Sequence, residues 1–361
     1  MSADGCGNGG HGTVCRESGG RSIGGRETDG REKAADRKAG AIGIFDSGLG
    51  GLTVLREIRK LLPEEDIVYF GDSGRTPYGT KSPDTILRYT LQDVNFLLSK
   101  NVKAVVIACN TASACGLEAV REKFDIPVTE VVRPGSRAAV RATRTGRIGV
   151  IGTSATIGSG VYERAIAHEA GLAGRTDVNY FGKACPLFVS LAEEGWWDGD
   201  ITYLTAEKYL SDLKRDNIDT LVLGCTHYPL LSDVIGRVMG EAVQLINSAS
   251  EVALAVKDDL GRRGLLKEHA GGRKEAPEEV KGSSAADSSG CDAYEEVKRS
   301  SEADSSSCDA SKSAQNGPEI DFCGGQVQFY TSDSVAKFRQ LGGKFLGAEI
   351  DRVENIKIEN Y

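Results

Sequence analysis

The sequence predicts an α/β protein of two similar halves, with mostly parallel sheets covered by helices on their faces. Three observations lead there. Short apolar runs alternate with amphipathic helical patterns from residue 41 onward, as expected of strands joined by helical crossovers. One construction occurs twice: residues 102–108 (VKAVVIA) run into Cys109 and the capping residues Asn110, Thr111 and Ser113, and residues 221–224 (LVLG) run into Cys225, Thr226 and His227. Finally, residues 42–47 (IGIFDS) resemble residues 148–153 (IGVIGT), and each stretch precedes its cysteine strand by a similar span. This is the pattern of an internal duplication in which each half presents one thiol.

The elements follow in order. Residues 1–40 are Gly-rich with scattered charges and no periodicity, and read as a disordered extension. Residues 41–45 (AIGIF) form a buried strand, residues 46–51 (DSGLGG) a glycine-rich turn, and residues 52–62 (LTVLREIRKLL) an amphipathic helix stopped by Pro63. A second strand spans 66–70. The loop 71–79 (GDSGRTPYG) is too polar for a core, and its Pro and Gly fix its path. A helix over 82–100 leads into the first cysteine strand. A strand then ends near 128–133 and a helix begins in 135–144 (GSRAAVRATR), where the chain crosses into a second domain, 134–247.

That domain continues with the strand at Ile148, the turn at Gly152 and Thr153, helical patterns in 162–171 and 185–195, and a long helix near Ala206. The Cys225 strand follows, with a helix expected to begin at once behind it. After Asn247, residues 251–266 return to the first domain, which comprises 41–133, 248–270 and 326–361. Residues 271–325, rich in Ser, Asp, Glu, Lys and Ala, read as a disordered insertion. Residues 327–333 and a short strand in 353–358 flank a last helix.

Composition narrows the function. No apolar run reaches the roughly 18 residues of a membrane span. A net charge of −8 argues against general nucleic-acid binding. Nine cysteines, without a C-x-x-C pair or a signal-peptide pattern, fit reduced thiols in a cytoplasm. The turn DSGLGG lacks both the G-x-G-x-x-G spacing and the P-loop lysine, so it carries no nucleotide site.

The chemistry rests on Cys109 and Cys225. A strand that ends in cysteine places the thiol at the carboxyl edge of a sheet, where open α/β sheets bind ligands. The positive end of a following helix stabilises a thiolate. If the two edges face each other, two thiols reach one carbon from opposite faces. One thiolate removes a proton and the other thiol returns one, which inverts the centre. Backbone N–H groups and the side chains of Ser47, Asn110, Thr111 and Thr226 are placed to meet the developing negative charge. Cys115 and Cys185, by contrast, read as packed residues. A zinc site on Cys109, Cys225 and His227 lacks close ligand pairs. A cysteine phosphatase fails, because positions 115 and 231 are Cys and Leu rather than Arg. A two-lobed binding protein without catalysis remains open.

Residues 46–55 (DSGLGGLTVL), 71–79, 108–114 (ACNTASA), 150–157 (VIGTSATI), 185–195 (CPLFVSLAEEG) and 223–231 (LGCTHYPLL) together resemble the motif set of the glutamate racemases. The likeness covers about 41–264 and resumes at 329–332. It implies two pseudo-symmetric flavodoxin-like domains with the active site in the cleft between them. It also implies cofactor-independent interconversion of L- and D-glutamate, with no metal, in a bacterial cytoplasm, supplying D-glutamate for peptidoglycan and so for cell-wall biogenesis and cell shape. It implies a small-molecule partner, no membrane, no nucleic acid, and compatibility with a homodimer. Carried over by position, Cys109 and Cys225 form the catalytic pair, Asp46 assists Cys109, and His227 with Glu193 assists Cys225. Asp46, Ser47, Tyr78, Gly79, Asn110, Thr111, Thr226 and His227 hold the substrate, with Thr153 adding a contact. The chain departs from the usual motifs at 73–76, at Ser190 and at Asn247. An aspartate racemase stays open as an alternative; His227, where related aspartate enzymes tend to carry Glu, favours glutamate.

Overall fold

A computed structural model describes residues 38–267 and 324–361. The expected extension and insertion lie outside the described residues, except for residues 38–40 and 324–325. Gly325 donates its N–H to the Pro63 carbonyl (2.9 Å), so the chain is already packed there.

The first sheet has the order β10-β9-β2-β1-β3-β4. Its strands are β1 (Ala41–Asp46), β2 (Ile67–Gly71), β3 (Val102–Ile107), β4 (Val128–Glu130), β9 (Val327–Thr331) and β10 (Val353–Asn355). The second, β6-β5-β7-β8, contains β5 (Arg147–Gly152), β6 (Asn179–Ala184), β7 (Thr220–Gly224) and β8 (Gln244–Ile246). Every strand pair in both sheets is parallel. The near-continuous apolar runs of β1, β3 and β7 follow from that: helices cover both faces, so no alternation with polar residues is needed.

The duplication is visible in the topology. The order β2-β1-β3-β4 recurs as β6-β5-β7-β8, with β9 and β10 added beyond β2. Cys109 follows β3 and Cys225 follows β7, so the two thiols occupy equivalent places. In this strand order the crevice lies between the carboxyl ends of the first and third strands. Asp46 and Cys109 border it in one half, Thr153 and Cys225 in the other.

The helices are α1 (Leu52–Leu61), α2 (Pro83–Leu98), α3 (Asn110–Lys123), α4 (Val132–Ala142), α5 (Ser154–Gly158), α6 (Val161–Leu172), α7 (Leu187–Glu193), α8 (Asp200–Arg215), α9 (Ser232–Met239), α10 (Ser248–Arg262) and α11 (Val335–Leu346). Helices α4 and α10 help unite the halves. Ala139 of α4 and Val252 and Val256 of α10 share one apolar core with Leu55 and Ile58 of α1 and with Val150 and Val222 of the second sheet. Helix α10 starts cleanly because Asn247 Oδ1 accepts from Ala249 N–H (3.0 Å), a good N-cap. Among the described residues, no helix is long and apolar enough to cross a membrane.

Three expectations change. Strands β6 and β8 escape the sequence reading: NYFGKA is partly exposed at a sheet edge, and QLI is too short for a period. Helix α4 starts at Val132, before the expected segment, with Pro134 in its first turn. No α-helix follows Cys225 directly; a 3₁₀ turn, Tyr228–Leu231, intervenes and α9 begins at Ser232. The two cysteine junctions are therefore related but not identical.

Candidate active site

The two carboxyl edges meet around one enclosed cavity. From the first half Ser47, Tyr78, Gly79, Cys109, Asn110 and Thr111 line it; from the second Thr153, Cys225, Thr226 and His227 do. Thr76, Pro77 and Val189 complete the wall. Its volume of about 20 Å³ admits roughly one water molecule. A larger ligand requires the halves to part.

Cys109 is the N-cap of α3, and its Sγ accepts from Ala112 N–H at 3.5 Å while lying 3.4 Å from Ser47 Oγ. The expectation that a helix terminus makes this thiol acidic is reversed. Burial, reinforced by the Asp46 carboxylate, pushes its pKa up to about 12 despite the Ser47 and Ala112 hydrogen bonds. Desolvation of a charge outweighs a partial charge at the helix end.

Cys225 has a different neighbourhood. Its Sγ lies 3.7 Å from His227 Nδ1, and His227 Nε2 lies 3.3 Å from Glu193 Oε1. Burial opposes a charged imidazole, yet the hydrogen bonds and negative charges of Cys225 and Glu193 outweigh it and raise His227 to about 10. Burial likewise disfavours the Glu193 carboxylate, but the His227 contact wins and its pKa is lowered. The Cys225–His227–Glu193 chain thus holds positive charge beside one thiol, while Asp46 holds negative charge beside the other.

Asp46 is fully buried behind the cavity wall. Its Oδ2 accepts from Gly48 N–H (3.0 Å) and its Oδ1 from Thr226 Oγ1 of the other half (3.3 Å). Burial raises its pKa, with His227 and these hydrogen bonds acting against that. Thr111 and Thr153 hydroxyls, 3.0 Å apart, form a second bridge between the halves. Glycine is required where the halves touch: a Cβ on Gly79 would lie 2.5 Å from the Thr153 Cβ.

Two buried polar groups at the cavity have no partner. Asn110 Nδ2 is one; its Oδ1 accepts from Tyr162 OH of α6 at 2.7 Å, which fixes the amide. The other is Thr76 Oγ1. Buried unpaired donors are costly, so a polar ligand that meets them gains affinity.

The amino-acid racemase model described as "Asp/Glu/Hydantoin racemase" matches residues 42–256. The chain belongs to that family. Membership makes it an isomerase. A glutamate racemase of Geobacter metallireducens is 55% identical over 227 residues, 63% of this chain and 82% of that protein. One of Koribacter versatilis is 38% identical across 89% of this chain and 99% of its own length. Among solved structures, a glutamate racemase isoform of Bacillus anthracis aligns with TM-score 0.70 at 33% identity, over 88% of this chain and 98% of the other. The Francisella tularensis glutamate racemase in complex with D-glutamate gives TM-score 0.69 at 31% identity, over 90% and 100%.

Every residue singled out from the sequence lies at the cavity or directly behind it. Tyr78 differs in manner: its hydroxyl is engaged by Asp72 and Asp93, away from the thiols, although Tyr78 and Gly79 both line the cavity. Sequence reasoning passed over Tyr162 and Thr76. Tyr162 sits in an ordinary helical pattern and gave no local signal. Thr76 stands in the 73–76 departure from the family motif, which was the available clue. Among the described residues, no three His, Cys, Asp or Glu side chains are gathered as ligands for one ion.

Proposed function

We propose that this racemase interconverts L- and D-glutamate by proton transfer through Cys109 and Cys225, without a cofactor, and so supplies D-glutamate for peptidoglycan. The observation that carries the reading is the pairing of two thiols, one from each half, on one cavity with opposite electrostatic settings. When the halves part and close on glutamate, Cys225 takes the α-proton of one enantiomer, with the His227 imidazolium balancing its charge. Cys109, a thiol at rest, delivers its proton to the other face. Asp46 disfavours a lasting thiolate at Cys109 and so favours return of a proton to it. The reverse reaction exchanges the roles. Asn110 Nδ2 and Thr76 Oγ1 supply donors for the carboxylates and the charge that develops on them, with the Thr111 and Thr153 hydroxyls beside them. Glutamate rather than aspartate is favoured by the relatives of high identity and coverage, which bear the name glutamate racemase.

Proton NMR of L-glutamate with the purified protein in D2O, with no cofactor added, tests this. Loss of the α-proton signal with formation of D-glutamate is expected, and Cys109→Ala and Cys225→Ala each abolish racemisation. Wild-type racemisation in either variant sinks the two-thiol mechanism; exchange of aspartate but not glutamate changes the substrate.

A further inference from the structure

Below the cavity wall lies a buried polar cluster that the two-thiol chemistry does not use. Asp72 and Asp93 are both fully buried, and the single hydroxyl of Tyr78 lies within hydrogen-bonding distance of Asp72 Oδ2 and 2.8 Å from Asp93 Oδ2. A phenol has one proton and can donate to one carboxylate only. Two ionised carboxylates cannot both be satisfied by it, so one of the acids must donate.

The partners decide which. Asp72 is surrounded by donors: Arg75 Nε (2.5 Å) and Tyr78 OH on Oδ2, and Ser332 Oγ (2.7 Å) on Oδ1. That is the setting of a carboxylate. Among the described residues, Asp93 receives only Arg75 Nη2 (2.8 Å) on Oδ1, and its Oδ2 faces the phenol. The other side chains in contact with the cluster, among the described residues, are neutral: Gln92 accepts from Arg75 Nη1 (2.6 Å), and the Tyr89 ring lies 4.0 Å from the guanidinium carbon and 5.4 Å from the Tyr78 ring, with the Arg88 guanidinium carbon 5.4 Å from the Tyr89 ring centre. One cation, Arg75, then balances one anion, Asp72, and a neutral Asp93 leaves the buried cluster without net charge. Burial, and next the charge of Asp72, act in the same direction on Asp93 and raise its pKa well above the usual carboxylate range.

We propose that Asp93 is a positioning residue that rests protonated, donates to Tyr78, and through it fixes the Thr76–Gly79 backbone against which glutamate binds. The relay runs Asp93 Oδ2–H to Tyr78 oxygen, then Tyr78 O–H to Asp72. It ties α2, the 72–79 loop and Ser332 into one unit. The consequence for substrate binding rests on the glutamate reading above; the proton on Asp93 does not.

Asp93→Asn and Asp93→Ala test it. An amide reproduces a protonated carboxyl, donating to Tyr78 and accepting from Arg75, whereas it cannot replace a carboxylate. KM for glutamate in the D2O exchange assay should stay within about twofold of wild type for Asp93→Asn and rise roughly tenfold for Asp93→Ala, with kcat changed less. Should Asp93→Ala fail to fold, infrared spectra at neutral pH still decide. The wild-type protein should show the carbonyl stretch of a protonated carboxyl that Asp93→Asn lacks. Any band from another buried carboxyl is common to both spectra and cancels in the difference. An Asp93→Asn spectrum that loses no such band, or an Asp93→Asn variant as impaired as Asp93→Ala, overturns the proposal. Wild-type protein that exchanges no glutamate overturns the substrate reading instead, and the infrared difference still reports on Asp93.

Discussion

Glu193→Gln keeps the shape of a side chain and removes its charge 3.3 Å from His227 Nε2. At that separation a unit charge is worth about 1 kcal/mol in water and about 5 kcal/mol at an effective dielectric constant near 20. Glu193 is 24% exposed, which places the interaction toward the lower end, about 2 kcal/mol. At roughly 1.4 kcal/mol per pKa unit, that lowers His227 by about 1.5 units from its value of about 10. The alkaline limb of kcat/KM should then move down by a similar amount. Because enantiomers have equal free energy, the racemisation equilibrium constant is one, and kcat/KM must shift alike in both directions. Initial rates from L- and from D-glutamate across the pH range measure it. An unmoved limb, or one that moves to higher pH, refutes the coupling of Glu193 to His227. Stability provides a second readout. A basic group raised from 6.5 to about 10 contributes stability that is fully present below pH 6.5 and is lost as pH climbs through about 10. For His227 this is on the order of 5 kcal/mol, and Glu193→Gln should reduce it by about 2 at neutral pH.

Three further outcomes are expected. Tyr162→Phe removes the hydroxyl that orients Asn110 and should cost about 1 kcal/mol, seen as a several-fold rise in KM with little change in melting temperature. Gly79→Ala introduces a methyl group 2.5 Å from Thr153 Cβ; kcat/KM should fall at least tenfold, because the closed form is hindered while neither half is disrupted. Replacing residues 268–323 with a short Gly/Ser linker should preserve kcat and KM. Both flanks are held at one place, Lys267 Nζ (2.6 Å) and Gln326 N–H (2.8 Å) each bonding Asp66 at the start of β2, the edge opposite the thiols. A large loss of activity on that deletion would show that the edge is coupled to the site.

Local sequence carried a great deal here. The apolar runs of β1, β3 and β7, the turn at 46–51 and the matching cysteine junctions specify two parallel α/β halves, because burial on both sheet faces leaves a continuous apolar signature. They also place Cys109 and Cys225 at carboxyl edges, since the residue after a strand can lie nowhere else. What depends on surroundings was beyond reach. Strand β6 forms because β5 offers it a partner, and its own residues mark no buried face. The proton affinity of Cys109 follows from burial and from Asp46, sixty-three positions away in sequence (109 − 46), and these override the helix end that the sequence did reveal. His227 needs Glu193, Asn110 needs Tyr162, and Tyr78 is turned to Asp72 and Asp93. Strand and turn propensities act between neighbours along the chain and can be read there. Desolvation, charge and hydrogen-bond partners act through space, and only the folded arrangement of the two halves sets them.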